Sequence, residues 1–152
     1  MRKQQLMLNG RKYGVPVAAT VVLLASSAVM SKEPFQICTG GDRAELKVTC
    51  LVDGDTGWEL GVKWRLKEVD TPEYPAQAEC KQEVELAKAA TYRMLELMRS
   101  GYQIEWLGQQ TGGGDRELVH VTLADGRDAG AVLIVEGHAV PWPHPPGVWC
   151  ED

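Results

Sequence analysis

Asp55, Asp70 and Glu73 place three carboxylates within nineteen positions, and Arg65 stands five residues before the second of them. Hard divalent cations take such oxygen ligands, and a backbone carbonyl such as that of Thr71 can join the set. Should neighbouring strands bring Asp55 and Asp70 to one rim, a cation would bind there, with Glu73 near enough to act as a base. The same residues also have a purely structural reading. Asp before Gly suits a turn, and Asp or Thr before Pro suits a strand end. Spacing alone leaves both readings open.

The elements that must position these groups follow from periodicity. Residues 44–52 alternate so that Leu46, Val48, Cys50 and Val52 share one face, which predicts a half-buried strand. Asp53-Gly54-Asp55-Thr56-Gly57 is dense in turn residues, residues 58–60 resume an extended pattern, and Gly61 turns again. Residues 63–69 form the next expected strand, stopped at Thr71-Pro72, so Asp70 falls at a strand end. Val84, Ala87, Met94, Leu95 and Met98 recur at helical spacing and predict a long helix over 79–100, ended by Gly101. Strands are expected over 102–107 and 117–124, on either side of a glycine-rich segment, 108–115. A short helix is expected over 129–136, with Asp128 as its N-cap and Gly137 as its stop. The proline-rich tail over 141–146 cannot be helical. This pattern predicts an α+β, mainly β chain: a five-stranded OB-fold barrel with one long inserted helix and a short second helix.

At 152 residues the chain has room for one compact domain, read as residues 32–152. Its 44 % apolar and 24 % charged composition is that of a globular protein rather than a disordered one. Residues 1–31 differ. Arg2, Lys3, Arg11 and Lys12 precede a charge-free, mostly apolar run over 15–30, the grammar of export. The run is long for a signal-peptide core and short for a comfortable bilayer span, so a cleaved signal peptide and a retained membrane tether both remain open. Either fate puts the domain outside the cytoplasm, secreted, periplasmic or membrane-anchored. Cys38, Cys50, Cys80 and Cys150 all follow this segment, and an even count in an exported domain favours disulfides. Of the three possible pairings we favour Cys38 with Cys50, clamping a short glycine-containing loop, and Cys80 with Cys150, tying the tail to the long helix. Removing the four basic residues of the leader leaves 12 basic against 21 acidic residues, a net charge near −9. The strongly basic footprint usual in nucleic-acid binders is absent.

Val52-Asp53-Gly54-Asp55-Thr56, followed by Trp64-Arg65-Leu66-Lys67-Glu68-Val69-Asp70-Thr71-Pro72-Glu73, closely resembles the signature of the staphylococcal nuclease (thermonuclease) family. Asp115-Arg116-Glu117-Leu118, Ala124-Asp125-Gly126-Arg127 and Gly137-His138-Ala139 follow that family's second half in order and approximate spacing, so the resemblance covers about residues 45–142. It implies an OB-fold nuclease in which Asp55 and Asp70 ligate Ca2+ through their side chains and Thr71 through its carbonyl. Glu73 would orient or deprotonate the attacking water, and Arg65 and Arg116 would grip the scissile phosphate. The implied activity is endonucleolytic or exonucleolytic cleavage of the 5′ P–O bond of single-stranded DNA or RNA, leaving 3′-phosphates, and no protein partner is expected. The chemistry is coherent, because the reaction builds negative charge on phosphoryl oxygens that a divalent cation and forked guanidiniums stabilise. Two departures stand out. Gly113, Gly114 and Asp115 occupy the place where family members carry an aromatic and a basic residue, and the proline-rich tail replaces a long C-terminal helix.

Other residues that invite functional readings are expected to be structural. His120, His138 and His144 form no pair with metal-ligand spacing. Trp64 and Trp106 fall in expected strands and read as core or barrel face, leaving Trp58 and Trp142 as the candidates for substrate contact. Beside the calcium-dependent nuclease stand two alternatives: a non-catalytic OB-fold binding module, and a calcium-stabilised envelope protein.

Overall fold

A computed structural model describes residues 35–150. The leader over 1–31 and the apolar run over 15–30 lie outside the described residues. Among the described residues no helix is long and apolar enough to cross a membrane.

The chain is α+β and mainly β. Its elements are β1 (Cys50–Leu51), β2 (Thr56–Glu59), β3 (Val62–Leu66), β4 (Val69–Asp70), α1 (Lys81–Arg99), β5 (Tyr102–Gln110), β6 (Glu117–Leu123), α2 (Ala129–Val135) and β7 (Val140–Pro141). Five strands form one sheet in the order β1-β2-β3-β6-β5, with β3 and β6 parallel and the other pairs antiparallel. The second sheet is the antiparallel pair β4 and β7.

Trp64 of β3 is wholly buried at the centre of the core. Around it are Leu51, Leu66, Val119 and Val121 from the sheet and Met94 and Met98 from α1. Ala87, Ala90, Met94 and Met98 recur every three or four residues, so α1 turns one continuous apolar face inward. Gly101 follows with φ 110°, a conformation that glycine adopts without strain. The short helix α2 starts as expected, its Asp128 carboxylate accepting the Ala131 N–H at 2.8 Å. Both expected disulfides form, Cys38–Cys50 and Cys80–Cys150.

Three expectations are corrected. The strand expected over 44–52 shrinks to Cys50–Leu51. Asp42 draws the preceding residues into a turn: its Oδ1 accepts the N–H groups of Ala44 and Glu45, and Lys47 lies at φ 49°. Leu46 is left 66 % exposed instead of facing the core. The strand expected over 63–69 breaks where Glu68 adopts φ 59°, and its last part becomes β4, which departs to pair with β7. The five-stranded barrel is not closed. Among the described residues β5 remains an edge of an open sheet, while the outer side of the two-residue β1 is taken by residues 36–38, Cys38 N–H donating to the Leu51 carbonyl and Leu51 N–H to the Gln36 carbonyl, so β1 does not meet β5. A side-chain bond instead links β5 to the end of β2, Tyr102 Oη donating to Glu59 Oε2 at 2.6 Å. Trp106, expected as core or barrel face, is 42 % exposed on β5.

The β2–β3 pair, which carries the residues of the site, depends on a close approach at Gly57. A Cβ there would lie 2.3 Å from Trp64 Cζ2 and 2.9 Å from the Cys50 carbonyl oxygen. Neither the buried ring nor the backbone has room to retreat. Gly57→Ala is therefore expected to destabilise the domain by about 1–3 kcal/mol through overpacking. Urea denaturation of the variant beside the parent protein measures this, and equal midpoints would refute it.

Candidate functional site

The Asp53-Gly54-Asp55 turn is built by its first residue. Asp53 Oδ1 accepts the N–H groups of Asp55 and Thr56 at 3.1 and 2.8 Å, an Asx turn that leads directly into β2. Gly54 lies against Thr71, whose Cγ2 would be 2.8 Å from any Cβ added there. This contact seats the turn on the segment after β4.

Asp55 is directed inward and is buried. Its Oδ1 accepts from Thr56 Oγ1 at 2.8 Å and from Arg65 Nη1 at 2.9 Å, while Oδ2 accepts the Thr71 N–H at 3.0 Å. The register of β2 with β3 sets Thr56 opposite Arg65, which explains how the guanidinium reaches the end of the turn. The other arm of the fork, Arg65 Nη2, donates to Asp70 Oδ1. Arg65 thus lies between the two carboxylates expected to hold a cation. Burial works against its charge, but Asp55 and Asp70 outweigh burial and keep it protonated.

Glu73 shares the site. Its backbone N–H donates to Glu83 Oε1 at 3.1 Å, and the buried Glu83 also accepts the Glu79 N–H at 2.6 Å. One carboxylate from α1 therefore fixes the loop that carries Glu73. Burial raises the Glu73 pKa, assisted by Asp55, Asp70 and Glu83 and opposed by Arg65. Burial likewise pushes Asp55 upward against the pull of Arg65. Asp53 is pushed up to about 7 by burial and by the adjacent charges of Asp55 and Glu73.

A cleft of about 650 Å³ opens over this group, with Asp53, Arg65, Asp70, Glu73 and Arg116 in its lining. Asp55 and Thr71 are buried and are not part of that surface. Arg116 comes from the connection between β5 and β6. Its Nε is buried and, among the described residues, has no hydrogen-bond partner, although Asp115 Oδ1 lies 3.5 Å away. The six residues expected from sequence thus fall at one place, in three degrees of contact. Asp55, Arg65, Asp70 and the Thr71 backbone are hydrogen-bonded together; Glu73 interacts electrostatically; Arg116 faces the same cleft.

His144, expected to be merely structural, reaches this centre from the tail. Its Nε2 lies 2.9 Å from Asp70 Oδ2 and its Nδ1 lies 2.7 Å from the Pro145 carbonyl oxygen. The bond to Asp70 raises its pKa above the usual imidazole value. The signal available in the sequence was a histidine among prolines shortly before a cysteine that could pair with the long helix. Trp142 also lines the cleft, whereas Trp58 does not. His120 instead faces Asp128 at 3.9 Å.

Carboxylate oxygens are the ligand type that a hard divalent cation takes, and those of Asp55 and Asp70 are here hydrogen-bonded to Thr56, Arg65, the Thr71 N–H and His144. Asp53, Asp55, Asp70 and Glu73 bring four carboxylates to one neighbourhood, but only one guanidinium is hydrogen-bonded among them. Burial first, and the neighbouring carboxylates second, raise Asp53 and Glu73. Another group has ligand atoms close together: those of Cys80, Glu83 and Cys150 lie within 4.8 Å of one another. The two sulfurs are bonded to each other, so neither offers the thiolate that a metal requires. No protein-family model matches the chain, and neither does any curated protein.

Arg65→Met is expected to cost about 3–5 kcal/mol, because it leaves a buried carboxylate without its counter-charge. Adding Asp55→Asn should recover part of that loss. Denaturant melts of both single variants and the double variant test this, and strictly additive effects would refute the coupling.

Proposed function

We propose that the chain is a metal-dependent phosphodiesterase of the thermonuclease type, an OB-like domain that hydrolyses single-stranded DNA or RNA outside the cytoplasm with Ca2+ as cofactor. The observation that carries this reading is the meeting of Asp55, Arg65 and Asp70 beneath a cleft that Glu73 and Arg116 also line. The two disulfides suit an oxidising compartment, and the basic, apolar leader over 1–31 supplies a route to it.

Asp55 and Asp70, with the Thr71 carbonyl, are the residues that would hold the cation. When bound, it supplies charge to stabilise the phosphoryl oxygens and orients water and substrate. Glu73 would accept a proton from the attacking water, and the burial and neighbouring carboxylates that raise its pKa would make it a better proton acceptor. Arg116 and Arg65, which both line the cleft, would stabilise the charge that develops on the phosphate as the water oxygen bonds to phosphorus and the P–O bond breaks, its electron pair leaving with the 5′ oxygen. Lysine would serve poorly at either place, lacking the planar pair of donors.

The full chain should cleave single-stranded DNA when Ca2+ is added and stop when a chelator is present. Glu73→Ala is expected to lower the rate by about 10²–10⁴-fold as a lost general base. Arg65→Ala should fall by about 10²-fold or more as a lost donor to developing charge. Cleavage without metal, or unaffected variants, would refute the assignment. Metal-dependent DNA binding without turnover would favour the binding module.

A further inference from the structure

Residues 142–150 cross from the β4–β7 pair to the start of α1, and they are fixed at both ends. The Trp142 N–H donates to the Glu68 carbonyl at 3.0 Å. Cys150 is bonded to Cys80, the residue that precedes α1. Between these anchors His144 meets Asp70. The result is a closed ring: the chain from Asp70 to Cys80, the disulfide, the chain back from Cys150 to Pro141, and the β4–β7 ladder. Glu73, Gln77 and Glu79 from one arm and His144, Pro146 and Trp149 from the other line the same cleft. Pro143, Pro145 and Pro146 restrict the backbone of the second arm, so it is a stiff wall.

A protein that grips nucleic-acid strands along their length has a basic groove that tracks the backbone. Here the charge along the cleft is mixed, with Arg65, Lys67 and Arg116 facing Asp53, Glu73 and Glu79. Its volume of about 650 Å³ falls within the small-molecule range. That is room for roughly one or two nucleotide units rather than a length of polymer. Trp142 lines the cleft, is 53 % exposed and meets the His144 ring edge-on at 5.3 Å, leaving aromatic surface free for a base.

We propose that the tethered strap 142–150 closes the cleft at one side, so that the site takes the free end of a single nucleic-acid strand and is blind to a strand without ends. This rests on the phosphodiesterase reading above and names its substrate class. The strap excludes chain that would have to continue past it, while Trp142 offers a stacking face to a terminal base.

The test compares a linear single-stranded DNA with a circular single-stranded DNA of matched composition, using the full chain and Ca2+. The linear strand should be shortened from an end, and the circle should be cut at least about ten-fold more slowly. Two variants release the strap by different means: Cys80→Ser with Cys150→Ser removes the tether, and His144→Ala keeps the disulfide but removes the contact with Asp70. In whichever remains folded by circular dichroism, the ratio of circle to linear cleavage should rise by about ten-fold. If the parent protein cuts the circle as fast as the linear strand, the blind-end inference is overturned, whether or not the variants fold. An unchanged ratio in folded variants overturns the role of the strap. Cleavage of neither DNA overturns the phosphodiesterase reading, and the inference falls with it.

Discussion

Burial of Asp55 is the constraint on which the rest of the arrangement depends. Taking a carboxylate out of water costs several kcal/mol, and only dense hydrogen bonding with a counter-charge offsets it. Asp55 obtains both from three parts of the chain: the Thr56 hydroxyl in β2, the Arg65 guanidinium in β3 and the Thr71 N–H after β4. None of the three can shift without leaving a buried charge poorly solvated. Arg65, held by Asp55, in turn fixes Asp70, and Asp70 fixes His144. A single desolvated carboxylate therefore sets the geometry of a site that extends to the tail.

Much of this was legible in the sequence wherever local periodicity dominates. The long helix followed from its apolar spacing and the start of α2 from Asp128, while the positions of four cysteines left three pairings open, of which the favoured one forms. Alternation misled at Leu46 and Val48, because a period-two pattern cannot register that the Asp42 side chain competes for the backbone N–H groups. The break before Val69 was hidden because the left-handed residue is Glu68 rather than a glycine. That break matters to the site, since it frees β4 to pair with β7 and so brings the tail to Asp70. Asp70 and His144 are 74 residues apart, and no spacing rule connects them. Their contact is a product of topology.

Charge gives the site its chemical direction. Asp53, Glu68, Asp70, Glu73, Glu79 and Glu83 line one cleft with Arg65, Lys67 and Arg116, so acidic groups outnumber basic ones there. Long-range steering of a polyanion toward this surface is weak. On the phosphodiesterase reading, recognition would rest on short-range contacts, on guanidinium donors and on a cation that would reverse the local balance. A site of this kind discriminates by what fits inside it rather than by what its field attracts.

The two disulfides divide the work of a larger core. β1 has only two residues, and Cys38–Cys50 holds beside it a segment whose Cys38 N–H and Gln36 carbonyl bond Leu51, giving β1 a second neighbour. Cys80–Cys150 closes a far longer loop, with a sequence separation of 70 against 12. In the chain-entropy account such closures contribute roughly 4 and 3 kcal/mol respectively. The larger share falls on the tail, where few apolar side chains are available to bury and prolines forbid a helix. A C-terminal helix would stay in place by packing one face on the core and would turn polar residues outward. A tethered strap needs no such face, so His144, Pro146 and Trp149 are free to line the cleft. Anchoring by a covalent bond rather than by packing is what allows residues 142–149 to line the cleft.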